Sequence, residues 1–290
     1  MSWLIVGSVP RTDFPLIRGD VRLQGDTLIL NGRHADEQRI RVARGTPALM
    51  AVAAVAAEVL AVPAPQALLA GDIGTGEGSR AVYGHLVENI DHIDHAGLTF
   101  HYLLPDIAWH NQVLWALEAR NPAPLLVADA GFMYAAKMSG YAAHYDLFTP
   151  DAGEMAFLAD EVAPHPFYTR GFLLQEEDRV PELIERAYAE ENAARHLLVK
   201  GKTDYVVAKG TTVAEITAPD VPAMEPIGGT GDSLTGLVTA LLASGMKITQ
   251  ACHTAALANR HLGHLANPTP AFGVADVLPF VRRALERALE

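Results

Sequence analysis

The chain has 290 residues at 31.1 kDa, half of them hydrophobic and 19% charged, which is enough to bury a large core as one domain or as one domain with an appendage. Thirty-four acidic residues against 22 Lys plus Arg give a net charge of -12, and the longest basic run is the pair Arg282-Arg283, so a cationic face for a nucleic-acid backbone is excluded. The single cysteine, Cys252, rules out a disulfide framework and a cysteine-based metal site, suits a reducing cytoplasm, and reads as a small buried hydrophobe.

The opening MSWLIVGSVPRTD has no basic start and too short an apolar run for a signal peptide, so a cytoplasmic location is expected. Residues 1–45 hold short alternating pieces, DVRLQGDTLILNG and QRIRVARG, with turn residues Gly25-Asp26 and Asn31-Gly32 between them. They predict a small β element set apart from an α/β domain over 46–290. The apolar stretch from Thr46 approaches membrane-spanning length, but Glu58, Pro63 and Pro65 interrupt it, so a buried helix to about Leu60 is predicted and no membrane partner. Strands near 66–73, 98–105, 124–130 and 145–150 then alternate with helices over 80–90, 107–120 and around 133–140; Trp109 and Trp115 on the second of these read as core. The stretch 159–182, with Pro164, Pro166 and Gly171, reads as a mobile surface connection. A helix over 181–195, a strand over 196–201, a hairpin over 204–216 and two long helices from about Asp232 complete the chain. Apolar strands alternating with helices require a mostly parallel sheet covered on both faces.

The strongest motif is IGGTGDSLTGLVTALLASG, residues 227–245. Gly228, Gly229, Thr230 and Gly231 leave a backbone almost free of side chains, and Leu234, Leu237, Val238, Leu241 and Leu242 recur at helical spacing behind it. Free N–H groups and the positive end of a helix then converge on one spot, which suits an anion such as phosphate. An ionised Asp232 at that spot is a candidate general base; the plainer alternative is a glycine turn with Asp232 as helix N-cap. A second cluster, AGDIGTGEGSR at 70–80, offers Gly74, Gly76 and Gly78 either as a loop that approaches a ligand closely or as a plain turn, and the absence of a following Lys excludes a Walker loop. Among twelve histidines, His92 and His95 with Asp91 and Asp94 form a candidate cation site, for which a solvated loop is the competing reading; His101 and His110 are further candidates.

GGTGDSLTG followed by a long Ala- and Leu-rich helix resembles the signature of the ribokinase-like superfamily, which implies an α/β sandwich of that type. TPDAGEMAFL (149–158) is similar to the Thr-Pro-His-Pro-Gly-Glu-Met segment of the ADP- or ATP-dependent NAD(P)H-hydrate dehydratases, LLVKGKTDYVV (197–207) to their nucleotide strand, and PAMEP (222–226) to the Pro-Gly-Met before their glycine loop. The resemblance spans about residues 124–265. It implies Asp232 as catalytic base with Gly229, Thr230 and Gly231 as anion hole. It further implies Lys200, Gly201, Lys202 and Thr203 on the adenine nucleotide, ADP or ATP, and Glu154 in the phosphate and Mg²⁺ region. Asp151 falls where the family has a His that touches the hydrated dinucleotide, and Asp129 on the Asp ending the corresponding strand; with Gly74 and Gly76 they are the candidate substrate residues. Asp151-Ala152 replaces His-Pro, and Pro105-Asp106-Ile107-Ala108 lacks the glycines of the family's Pro-Gly-Leu-Gly loop.

The expected activity is adenine-nucleotide-dependent dehydration of hydrated NAD(P)H. The alternatives are a small-molecule kinase of the same fold acting on a sugar, a vitamin precursor or another alcohol, and a non-catalytic nucleotide-binding relative. The expected partner is a small molecule, and a homo-oligomer remains open.

Overall fold

The structure is a computed structural model, and it describes residues 1–32, 36–160, 179–269 and 271–290. Strand β1 (Trp3–Val9) is apolar and buried on both faces, as the centre of a covered parallel sheet requires. It lies between β5 (Gln66–Gly71) and β6 (Gly97–His101) and runs parallel to both. Beyond β6 the parallel run continues through β7 (Leu125–Ala128), β8 (Leu147–Phe148) and β9 (His196–Val199). Antiparallel strands extend both edges: β10 (Asp204–Ala208) and β11 (Thr211–Ile216) beyond β9, and β2 (Ile17–Gln24), β3 (Thr27–Gly32) and β4 (Gln38–Arg41) beyond β5. All belong to one 11-stranded sheet. Residues 1–45 therefore supply both the centre and one edge of that sheet. The pieces over 17–41 form antiparallel strands, whereas the short apolar run that opens β1 has no period, and periodicity alone does not tell such a run from a buried helix segment.

Among the described residues, the α-helices of eight residues or more are, in chain order, α1 (Thr46–Val59), α2 (Glu77–Glu88), α3 (Ile107–Glu118), α4 (Ala130–Met138), α5 (Ala152–Ala159), α6 (Val180–Ala189), α7 (Thr230–Ala243), α8 (Ile248–Ala266) and α9 (Val281–Leu289). Side-chain alternation along β1 feeds two cores. Trp3, Ile5 and Val9 meet α1, α7, α8 and α9 on one face, and Leu4 and Val6 meet α2 through α6 on the other. The expected surface connection at 159–182 falls largely outside the described residues, and α6 begins at Val180. No helix among the described residues is long and apolar enough to cross a membrane. Trp115 departs from its expected place in the core: it is 52% exposed, with its ring edge-on to Tyr141.

Helices α1 and α7 approach closely because Gly236 has no side chain. A Cβ there would sit 2.4 Å from the Leu49 carbonyl oxygen and 3.2 Å from the Ala53 nitrogen, both backbone atoms. Alanine is ordinarily favoured over glycine inside a helix by roughly 1 kcal/mol, but here overpacking costs about 1–3 kcal/mol and the backbone cannot rotate away. Gly236→Ala is therefore expected to destabilise despite its propensity, lowering the thermal midpoint by roughly 2–8 °C; an unchanged or raised midpoint would contradict this packing.

Candidate active site

The carboxyl ends of the parallel strands deliver polar residues to one edge of the sheet, where open α/β sheets form their crevice. Asp72 follows β5, His101 ends β6, Asp129 follows β7, Asp151 lies past β8 and Lys200 past β9. A cavity of 510 Å³ opens there. Its lining includes Asp129, Asp151, Glu154, Lys200, Gly201 and Lys202 on the strand side, and Gly228 through Asp232, Asn259 and Arg260 on the helix side.

Helix α7 starts at the glycine loop. Gly229 occupies the cap with φ 103°, a left-handed conformation in which any Cβ would also come within 2.7 Å of Val274. No side chain caps the helix. Asp232, one turn in, instead turns its carboxylate away from the helix: Oδ2 accepts the Gly45 N–H at 2.6 Å, and Oδ1 lies 3.0 Å from His101 Nε2. The N-cap reading of Asp232 is thus not what the local geometry shows. The backbone N–H groups of Gly231 and Asp232 have no acceptor among the described residues, leaving two donors at the positive end of a helix on the cavity wall. Burial works to raise the Asp232 pKa, but the His101 hydrogen bond, Lys200 and the Gly45 N–H outweigh it and hold the carboxyl below its ordinary value. It is ionised at neutral pH.

Lys200 lies under this loop, its Nζ 3.7 Å from where a Gly231 Cβ would be. Both oxygens of buried Asp129 accept from Nζ, at 3.1 and 3.0 Å, and Asp129 also accepts from Thr235 Oγ1 at 2.6 Å and the Ala130 N–H at 2.8 Å. Burial favours loss of the lysine proton, yet Asp129, then Glu154 and Asp151, overcome it and raise the Lys200 pKa. The expected free nucleotide contact is therefore first an internal ion pair. Past it, the turn of Gly201, Lys202 and Thr203 is clamped from α8. Arg260 donates to the carbonyls of Gly201 and Lys202 and pairs with Asp204 at 2.7 Å, while Asp204 accepts the Gly201 N–H. Gly201 and Lys202 line the cavity, but Thr203 is not part of its wall.

Asp151 and Glu154 form a capping box at the start of α5, each side chain accepting the other's backbone N–H at 2.8 Å, and Tyr134 donates to Glu154 at 3.1 Å. Burial, then Asp151 and Asp129, push the Glu154 carboxyl up from 4.5 to about 8, with Lys200 opposing. An acid whose pKa is raised on folding is stabilising while protonated, and that contribution is lost as pH climbs from its unfolded value towards about 8. Glu154→Gln should therefore flatten the decline of the thermal midpoint between pH 5 and pH 9 and gain on the order of 1 kcal/mol at the alkaline end. A wild-type midpoint that stays level over this range would refute the assignment.

The second glycine cluster does not join the site. The Asp72 carboxylate accepts the N–H groups of Gly74 at 2.9 Å, Gly76 at 3.0 Å and Ser79 at 2.9 Å, as well as the Ser79 hydroxyl at 2.7 Å. The anion that this nest holds is its own aspartate, and neither Gly74 nor Gly76 lines the cavity. Nor do His92 and His95 assemble a cation site: His95 Nε2 contacts Gln66 Oε1 at 3.0 Å. Among the described residues, His101, Asp129 and Asp232 do bring ligand-type atoms within 4.8 Å of one another. Each of those atoms is already engaged, with the Lys200 ammonium supplying the positive charge, so the trio reads as a hydrogen-bonded cluster.

The profile of the NAD(P)H-hydrate dehydratase family, Carb_kinase, matches residues 104–278. The chain belongs to the NAD(P)H-hydrate dehydratase family. That stretch contains the glycine loop with Asp232, Asp129, the Asp151–Glu154 box and Lys200. An uncharacterized protein of Methanocaldococcus jannaschii is 40% identical over 221 residues, covering 76% of this chain and 90% of that protein. Solved structures with the same fold include a mutant of the Escherichia coli phosphofructokinase-2 (16% identity, 99% of each chain, TM-score 0.58). A ribokinase-like superfamily protein of Enterococcus faecalis (14% identity, 99% of this chain and 87% of that one, TM-score 0.57) also shares it. So does the Staphylococcus aureus pyridoxal kinase with AMP-PCP and pyridoxal (14% identity, 89% and 86%, TM-score 0.51). The fold is thus ribokinase-like, as the glycine loop and its helix suggested.

Around this cavity, sequence reasoning missed Gly45, Thr46, Thr235, Tyr134 and Asn259, and saw His101 only as a possible metal ligand. One signal was available: Thr235 follows Asp232 by three positions and so shares its helix face.

Proposed function

We propose that the protein dehydrates hydrated NADH or NADPH at the expense of ADP or ATP. The observation that carries this reading is the ionised Asp232 beside the N–H groups of Gly231 and Asp232 at the start of α7, which have no acceptor among the described residues. Donors so placed stabilise a phosphoryl group in transfer, and the adjacent carboxylate accepts the proton of the attacking hydroxyl. Phosphorylation turns a poor leaving group into a good one, so the ring can then eliminate phosphate. The adenine nucleotide lies along Gly201 and Lys202. Asn259 supports that placement: it lines the cavity, and its buried Oδ1 has no hydrogen-bond partner among the described residues, leaving an acceptor for a base N–H. The reduced pyridine ring lies on the side of Asp129, Asp151 and Tyr102, which also line the cavity.

Mg²⁺ fits this donor set. Asp129, Asp151 and Glu154 are hard oxygen donors facing one lysine; burial first, then Asp151 and Asp129, raise the Glu154 carboxyl, and a cation would offset the part due to those two neighbours. Asp151 and Glu154 would hold the ion, and it supplies charge neutralisation of the nucleotide phosphates. A kinase acting on another alcohol is the second reading, favoured by Asp151-Ala152 where the family has His-Pro. Incubation with ADP or ATP and hydrated NADPH, following recovery of NADPH, tests the first reading. No recovery, with nucleotide still raising the thermal midpoint, transfers the assignment to the kinase.

A further inference from the structure

We propose that His101, locked in one tautomer by Thr46, is the positioning residue that orients the Asp232 carboxylate for proton abstraction; this rests on the reading of Asp232 as base. His101 is completely buried at the end of β6. Its Nδ1 lies 3.0 Å from Thr46 Oγ1 and its Nε2 lies 3.0 Å from Asp232 Oδ1, with Asp129 Oδ2 at 3.8 Å. The ring is held edge-on by Tyr102, with centroids 4.4 Å apart at 89°. Space for the contact is made by Gly7 of β1, where a Cβ would come within 2.8 Å of Thr46 Oγ1 and 2.6 Å of the His101 carbonyl oxygen. Three elements distant in the chain therefore converge on this imidazole, and its burial keeps water from competing for the bond.

The tautomer follows from the partners. An ionised carboxylate can only accept, so Nε2 carries the hydrogen and donates to Asp232. In the neutral ring Nδ1 is then a bare lone pair, which accepts the Thr46 hydroxyl proton. With Gly45 N–H on Oδ2 and His101 N–H on Oδ1, both oxygens are pinned and the carboxylate cannot rotate. The proton from the substrate hydroxyl must go to a remaining lone pair of Asp232, while the hydroxyl oxygen uses the freed pair to form the new O–P bond as the terminal P–O bond of the ADP or ATP breaks and its electron pair leaves on the shortened nucleotide. Two N–H donors also favour the ionised base, so they lower the pH at which it becomes protonated. The charged groups around the ring are Asp232 and Asp129, with Lys200 paired to the latter.

Two variants separate orientation from mere filling of space. His101→Gln keeps an N–H donor at a similar reach, whereas His101→Leu keeps bulk and loses the donor. On hydrated NADPH with ADP or ATP, the Leu variant should lose at least tenfold in kcat relative to Gln below pH 7 at similar KM, and its acid limb should move up by about one pH unit or more. Superimposable pH–rate profiles for Leu and wild type would overturn the proposal. A second measurement needs no substrate: two-bond proton–nitrogen NMR of the whole chain, with His101 assigned from its variants. Wild type should show the Nε2–H tautomer. In Asp232→Asn the backbone N–H of Gly45 cannot become an acceptor, so the amide oxygen must face it and the amide N–H must face His101, which should switch to Nδ1–H. An Nδ1–H tautomer in wild type, or no switch in the variant, defeats the proposal even where the hydrate proves not to be the substrate.

Discussion

Asp232→Asn should cut turnover by about 10²- to 10⁴-fold while the thermal midpoint moves by only a few degrees, because general-base catalysis is worth roughly that factor and the replacement is nearly isosteric. The environment of Asp232 decides the stability half of this expectation. Its two oxygens accept from Gly45 at 2.6 Å and from His101 at 3.0 Å. Asparagine offers one oxygen and one NH₂, so one of those bonds would become a donor facing a donor, at a cost of about 1–3 kcal/mol for a buried unsatisfied group. His101 removes that conflict by exchanging tautomers against the Thr46 hydroxyl, which can serve as donor or acceptor. The variant should then fold with the polar atoms at position 232, His101 and Thr46 satisfied and lack only the group that accepts a proton. Nucleotide affinity should be nearly retained, since the Gly231 and Asp232 N–H groups are backbone. Turnover within a few fold of wild type, measured beside the melting curve, would defeat the assignment of Asp232 as base. A large loss of both stability and turnover would instead show that the tautomer exchange does not occur.

What could be read in the sequence and what could not divides along the range of the contacts. The glycine loop and α7 are local: Gly228 to Gly231 and the spacing of Leu234, Leu237, Val238 and Leu241 lie within one segment, and the structure places them as expected. The alternation of strands and helices is equally local, which is why α1, β5, α3 and the β10–β11 hairpin fall close to their predicted spans. The geometry that makes Asp232 usable is not. Gly45 reaches it across 187 positions of chain and His101 across 131, and no periodicity relates positions so far apart. The glycines at 74 and 76 show the opposite failure. Their nest is real, but Asp72, which fills it, looks from sequence like one more ligand contact at a strand end. Spacing shows that N–H groups converge; only the fold shows whether the protein has already supplied their anion.

Lys200→Ala is expected to lower the thermal midpoint by roughly 10 °C or more, a larger effect than a lysine reaching towards solvent would give. Asp129 is 2% exposed, and Lys200 is the cation that both of its oxygens contact. Removing one member of a buried ion pair costs about 3–5 kcal/mol, because the other charge is left without compensation. Thr235 and the Ala130 N–H still donate to Asp129, which makes complete unfolding unnecessary. Lys200→Met combined with Asp129→Asn separates the structural part from the chemical one. It removes both charges while keeping a long apolar stem and a side chain that still accepts from Thr235, so much of the lost stability should return. Activity should not return with it, since Nζ also lies under Gly231 and adds positive charge beneath the loop proposed to hold the phosphoryl group. A folded Lys200→Ala protein with an unchanged midpoint and weakened ADP or ATP binding would reverse the order of these roles, making the lysine a nucleotide contact first and an ion-pair partner second.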